Sequence, residues 1–380
     1  MKIENFISFV RDTFNSKEFI PLHAPLFIGK EKEFLNDCID TTFVSSVGKY
    51  VDKSEEMISQ ITGMKKSVAV VNGTAGIQVA LKLVGVKPGD EVITQALTFV
   101  ATANAIAYNF AAPVFLDVDL DTMGLSPKAV EHFLEEFGEI REDGCYNKST
   151  NKKISACLPM HTFGFPVHLN ELLKVCNKWQ IPVIEDAAES LGSLYDGKPT
   201  GSFGELGVFS FNGNKIVTSG GGGMIVSNEM SQGQRAKHLT TTAKVPHPYE
   251  YEHDELGFNF RMPNINAALL CAQLENLDKY IEKKRVLASQ YADFFEHSDV
   301  TFRRELSNTK ANYWLMCIEL SNSKERNLFL ENSNSNGVMT RPIWKLMHRL
   351  PMYKDCYRDD QKNAEYLESR IVNVPSSVIL

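Results

Sequence analysis

Between about residues 65 and 230 the chain alternates between short apolar runs and segments with helical periodicity. "SVAVV" (67–71) precedes "TAGIQVALKLV", and "DEVITQ" precedes "TFVATANAIAYNF". "APVFLDVD" leads into "SPKAVEHFLEEF", and "ISACLPM" into "LNELLKVCNKW" and then "IPVIEDAA". Continuous apolar strands separated by amphipathic helices predict a parallel sheet covered on both faces, an α/β layer architecture. The Gly, Pro and Asp of "GVKPGDEV" and "PVFLDVDLDTMGLSP" mark connecting loops.

The pattern changes after about residue 255. "NINAALLCAQLENLDKYIEKKRVLASQYADFFEHS" (264–298) has apolar positions three and four residues apart and a charged opposite face, which predicts a long helix. Two strand-like segments, "VTFRREL" and "ANYWLMCIEL", a helix over 324–333, a Pro-containing loop and a last helix and strand follow. The expected division is an N-terminal segment and large α/β domain over 1–255, then a linking helix and small α+β domain over 256–380. At the N-terminus, Ile3, Phe6, Ile7, Val10 and Phe14 fall at helical spacing. The first sixty or so residues are too few to fold alone and are expected to dock on the smaller domain or on a partner subunit.

With 380 residues, 43% hydrophobic and 23% charged, the composition is that of a soluble globular protein. A formal charge of −7 and scattered lysines and arginines offer no phosphate-backbone patch, so no nucleic-acid partner is expected. No stretch approaches the apolar length that spans a bilayer, and Glu4, Arg11 and Asp12 interrupt any signal-like run. The expected compartment is the cytoplasm. Seven scattered cysteines without a C-x-x-C pair read as reduced thiols, and no metal is expected.

Three short stretches carry candidate chemistry. In "VVNGTAG" (70–76) a buried strand gives way to a helix across Asn72, Gly73 and Thr74. The unpaired N–H groups and partial positive charge of a helix N-terminus suit a phosphate, although Thr74 serves equally as a plain N-cap. In "IPVIEDAAES" Asp186 follows an apolar strand, at the edge where open α/β sheets bind ligands; it is equally placed to cap a helix. In "GVFSFNGNKIVTSGGGG" Lys215 lies in a turn between a strand and a glycine cluster, 29 residues beyond Asp186. A phosphate seat, a strand-end carboxylate and a turn lysine, in that order, are the parts a pyridoxal 5′-phosphate site needs. A dinucleotide fingerprint G-x-G-x-x-G is absent.

The chain resembles the DegT/StrS-type sugar aminotransferases. The likeness is carried from about residue 20 onward by "NGTAGIQVAL", "PGDEVITQALTFVATANAI", "MHTFGFPVHLNEL", "PVIEDAAESLGSLYDGKPTGSFGELGVFSFNGNK", "GGGGMIVS" and "LGFNFRMPNINAAL". It implies the fold-type-I aminotransferase architecture, with a mostly parallel seven-stranded sheet between helices. It also implies pyridoxal phosphate as cofactor, joined to Lys215 as a Schiff base, with Asp186 on the pyridinium nitrogen. Thr74, Ala75 and Ser210 would hold the phosphate, and Phe99 would stack on the ring. Asn259 would reach the cofactor phosphate of a second subunit in a homodimer.

Glu189 stands where many members of that family carry glutamine; an ionised glutamate has no proton to donate to the ring oxygen. "TTFVSSVGKYV" and "TRPIWKLMHRLPMYKDC" are similar to the branch that aminates a 4-keto sugar nucleotide on the legionaminic acid pathway. The substrates implied are L-glutamate and a UDP- or GDP-linked 4-keto-6-deoxy sugar. Lys49, Arg341, Lys345, His348 and Arg349 are candidates for its diphosphate, and His161 for the wall of the site. Two rival readings share the fold. A sugar-nucleotide dehydratase would carry histidine in place of Lys215, and a non-catalytic regulator would add a DNA-binding segment.

Overall fold

The computed structural model describes residues 2–380. Seven strands, β1 Lys66–Val70, β2 Glu91–Gln95, β3 Ala112–Leu116, β4 Lys152–Leu158, β5 Ile184–Asp186, β6 Leu206–Ser210 and β7 Gly223–Ser227, form the central layer. Their spatial order is β3-β2-β4-β5-β6-β7-β1. β4 joins β5 through parallel bridges at Cys157–Val183 and Met160–Asp186. β7 alone runs against the other six. Every residue of β2 and β7 is buried, as expected of strands covered on both faces. Helix Gly73–Leu83 lies close on β6 because Gly76 has no side chain; a Cβ there would come within 2.7 Å of Val208.

A second, antiparallel sheet is built from β8 Thr301–Phe302, β9 Met316–Glu319, β10 Arg341–Pro342 and β11 Ile371–Val374, in the order β8-β9-β11-β10. The N-terminal helix Ile3–Thr13 packs beside this layer. Phe6 meets Phe329 at 4.7 Å and Phe9 stacks on Phe294 at 4.2 Å between ring centres. The following segment continues onto the same unit: Ile20 bridges Val338, and Ser376 N–H donates to the Leu22 carbonyl. Residues 3–22 thus pack on the smaller domain, one of the two places expected for the N-terminal segment.

Three expectations are corrected. The stretch 264–298 is two helices, Asn264–Leu274 and Leu277–Phe295. They part at Asn276, whose side chain donates to the Ala272 carbonyl. The strand expected from residue 311 begins only at Met316, because Tyr313 adopts a left-handed turn with φ of 50°. A hairpin over Gly138–Arg141 and Gly144–Asn147, unforeseen in the apolar pattern, extends the sheet beside the start of β4. Among the described residues, no helix is long and apolar enough to cross a membrane.

Candidate active site

The phosphate seat forms where β1 ends. Val70, Gly223 and Ser210 stand in register across β1, β7 and β6, so three strand ends meet below the start of helix Gly73–Leu83. Gly223 has a definite task there. A Cβ on it would sit 2.6 Å from the Asn72 carbonyl carbon and 2.7 Å from the Gly73 nitrogen, so only glycine lets the turn descend onto the sheet. Ser210 lies directly beside Gly73, 3.0 Å from where a Cβ on that glycine would be. The Gly73 and Thr74 N–H groups have no partner among the described residues, as helix geometry leaves them. Ala75 departs from its expected role. Its N–H donates to Asn72 Oδ1 at 2.8 Å, which makes Asn72 the cap and takes that donor away from any anion.

Asp186 and Glu185 adjoin at the end of β5, and their opposite faces give them different fates. Glu185 is saturated: it accepts from the N–H groups of Gly201, Phe203 and Gly204 and contacts His161 Nε2 at 3.0 Å. Burial would raise its pKa, yet His161 and these donors leave it lowered. Asp186 is equally buried but accepts only from the Thr102 hydroxyl at 2.7 Å and the Ala188 N–H at 3.2 Å. Burial therefore raises its pKa. A buried carboxylate short of partners, with no cation in ion-pair contact, fits a cationic ring nitrogen.

Lys215 completes the group. Its Nζ lies 3.3 Å from Glu189 Oε1 and 3.8 Å from the centre of the Trp314 ring. Trp314 is fixed by its own indole N–H, which donates to the Asn214 carbonyl at 2.6 Å. Glu189 also accepts the Phe163 N–H at 2.9 Å. Phe163 itself sits at φ 56°, a left-handed conformation that costs a non-glycine residue roughly 1–3 kcal/mol and is typical of functional sites. The Asn312 amide clamps the same turn by donating to the Glu189 and Leu191 carbonyls. Phe163, Trp344 and Phe99 continue the aromatic wall, with ring centres 4.8 and 6.4 Å apart in succession. Phe99 is 49% exposed and opens the helix whose first turn supplies Thr102.

Burial pushes the Glu189 carboxyl up to about 6, against the pull of Lys215. Its folded-state pKa thus lies above its unfolded value, so the unfolded chain releases this proton first and stability falls as pH rises from about 4.5 to 6. In the cofactor-free protein, E189Q should escape this loss. Its urea-unfolding free energy should gain on wild type by up to about 2 kcal/mol across that window. A pH-independent difference would show that Glu189 does not carry the shift.

Several expected residues have other occupations. His161 is fully buried with both ring nitrogens committed: Nδ1 accepts from the Val167 N–H, so Nε2 donates to Glu185. It supports the site from behind and does not line it. Lys49 pairs with Asp37 at 2.8 Å. Beside it, a Cβ on Gly48 would lie 2.3 Å from Asn264 Cγ, so the close approach there needs glycine. Arg349 is held by Glu365 and Glu368. His348 is buried, its proton affinity lowered by burial and by Arg358 and Arg349, and its Nδ1 has no partner. Arg341 and Lys345 are exposed. Asn259 is exposed and accepts from Arg261. The segment 341–349 does reach the site, through Trp344 and through Met347 N–H, which donates to the Ala96 carbonyl beyond β2. Thr102, Phe163, Trp314 and Trp344 are the residues that sequence reasoning missed. Trp314 and Trp344 are two of only three tryptophans in the chain, a signal that was present.

This architecture is that of the fold-type-I aminotransferases. The chain belongs to the DegT/DnrJ/EryC1/StrS aminotransferase family, whose sequence profile matches residues 27–380. It is 37% identical over 362 residues to a protein of Bacillus subtilis described as the putative pyridoxal phosphate-dependent aminotransferase EpsN, covering 94% of this chain and 90% of that one. It is 36% identical over 361 residues to the GDP-perosamine synthase of Escherichia coli O157:H7, covering 94% and 93%. The Helicobacter pylori aminotransferase PseC superposes with a TM-score of 0.85 at 22% identity, over 94% of each chain; that likeness speaks to the fold.

Proposed function

We propose that this enzyme transfers the amino group of L-glutamate to the C4 carbonyl of a nucleotide-activated 4-keto-6-deoxy sugar, giving a 4-amino-4,6-dideoxy sugar nucleotide. The observation that carries this reading is the Lys215 amine, held between the Glu189 carboxylate and the Trp314 ring near a buried, cation-poor Asp186. The GDP-perosamine synthase relative supports a sugar nucleotide as acceptor. Lys215 also argues against the dehydratase alternative, which would carry histidine at that position.

Pyridoxal phosphate fits the residues present. Its phosphate would rest on Gly73 and Thr74 N–H and the Ser210 hydroxyl, its ring nitrogen on Asp186, and its aldehyde on Lys215. When bound, the cofactor supplies an electron sink that stabilises negative charge on the donor's α-carbon. Lys215 Nζ takes the α-proton of glutamate as a general base and later delivers a proton to C4 of the sugar. Asp186, with Thr102 holding its second oxygen, keeps the ring nitrogen protonated. The aromatic wall of Trp314, Phe163 and Trp344 excludes water from the amine. The net exchange is glutamate and ketone to 2-oxoglutarate and amine.

The finer reading places the acceptor on a legionaminic-type pathway, as a 2-acetamido sugar linked to UDP or GDP. It assigns a homodimer whose partner contributes Asn259, in accord with the exposure of that residue and of Tyr249, Tyr251 and Leu256 on the segment before it. A panel of UDP- and GDP-linked 4-keto-6-deoxy sugars assayed with L-glutamate tests the substrate. Sugar-dependent release of 2-oxoglutarate with at least one member is expected. Release unaffected by every keto sugar would overturn the assignment.

A further inference from the structure

The segment that leads into β9 presents the Trp314 ring to the Lys215 amine, and it is bent to do so. Tyr313, the residue before the tryptophan, sits at φ 50°, a left-handed conformation that a bulky side chain adopts only where its surroundings impose it. The chain is tied down around that bend. Trp314 N–H donates to Asn312 Oδ1 at 2.8 Å, and Asn312 N–H donates to Ser193 Oγ at 3.0 Å. The Asn312 amide also holds the Glu189 and Leu191 carbonyls, so one buried side chain fixes both groups that the amine touches. A Cβ on Gly164, itself at φ 97°, would run into Asn312 Oδ1, so that turn needs glycine. Finally, the indole N–H reaches the carbonyl of Asn214, next in the chain to Lys215. Ring and amine are thus anchored to one turn.

The contact itself is close. Lys215 Nζ lies over the indole, 3.8 Å from the ring centre, and the ring is buried. Among the described residues, Glu189 is the only hydrogen-bond acceptor of this amine. The indole face stands in for a second one. Its negative π cloud attracts a cation and attracts a neutral amine far less. Tryptophan offers the strongest such face of the aromatic side chains, and the attraction grows where water is shut out.

We propose that Trp314 is a positioning residue whose ring face holds Lys215 Nζ in its charged form while it carries the proton taken from glutamate. In that step the α C–H bond breaks, an N–H bond forms on Lys215, and the C–H electron pair stays with the donor carbon. The nitrogen is neutral before the transfer and cationic after it. The ring therefore binds the end of the step more strongly than its start, and so lowers the barrier between them. It also keeps the ammonium in place until the proton is passed on. The inference rests on Lys215 being the lysine that bears the cofactor and acts as the base.

Two measurements test it. The first uses the cofactor-free protein. An ammonium resting on an indole face quenches that ring's fluorescence. The emission owed to Trp314 is the difference between wild type and Trp314→Phe; the same difference taken in a Lys215→Met background should be larger. Equal differences would show that the amine does not rest on the ring, and would overturn the proposal. The second uses the loaded enzyme with tetrafluorotryptophan placed at position 314. This side chain keeps the bulk and the N–H bond to Asn214 but withdraws negative charge from the ring face. Single-turnover formation of 2-oxoglutarate should slow by roughly tenfold, with the glutamate concentration for half-maximal rate unchanged. A packing role alone would leave the fluorinated protein at the wild-type rate, and that result would overturn the proposal even if Trp314→Phe does not fold. Loaded wild type with no borohydride-reducible bond to Lys215 would overturn the cofactor reading and this inference with it, while the fluorescence comparison would still report the contact.

Discussion

Lys215→Ala is expected to abolish transamination while the protein stays folded. The substitution removes the covalent anchor and the general base together, a loss of roughly 10⁴-fold or more in turnover. The fold should survive for a specific reason. Stripping one partner from a buried ion pair ordinarily costs about 3–5 kcal/mol, because the other charge is stranded. Glu189, however, sits at about 6 even beside the lysine, so it picks up a proton at little cost once Lys215 is gone. Phe163 N–H still donates to its second oxygen. Steady-state release of 2-oxoglutarate and a thermal melt check the two halves. Near-normal turnover would remove Lys215 from the centre of the chemistry.

Asp186→Ala is expected to act mainly on cofactor retention. In the folded protein this carboxylate has two donors where Glu185 has several, and burial leaves it wanting a cation. Losing a buried, hydrogen-bonded charge pair with the ring nitrogen corresponds to about 3–5 kcal/mol, or roughly 10²–10⁴-fold weaker cofactor binding. Proton removal from the donor should slow as well, since an unprotonated ring is a poorer electron sink. Equilibrium dialysis against pyridoxal phosphate gives the first quantity and single-turnover kinetics the second. Unchanged affinity would reassign the residue.

Much of the fold was legible because a parallel sheet leaves a strong trace. Strands buried on both faces have no polar alternation, and the five apolar runs between residues 67 and 188, with the strand before Lys215, are six of the seven strands of the central layer. The break at Asn276 was not legible, because no Gly or Pro marks it. The hairpin over 138–147 was not legible either, because its first strand is largely exposed. In the site, Lys215 and Asp186 stood out by position at strand ends. Thr102 did not, because a hydroxyl one helical turn into a segment looks the same whether it faces a carboxylate or the core. Phe163 gave no sign of its left-handed backbone. For the charged candidates Lys49 and Arg349 the sequence shows a charge but not the carboxylates, Asp37 and Glu365, that the structure pairs with them.

The central claim is that one amine, on Lys215, forms the covalent bond to pyridoxal phosphate. Borohydride reduction of the cofactor-loaded enzyme, followed by proteolysis and mass mapping, reads that bond directly. The predicted result is a single pyridoxyl adduct on the peptide containing Lys215. An adduct on Lys284 or Lys49 with Lys215 unmodified, or no adduct on a fully loaded enzyme, would contradict the account.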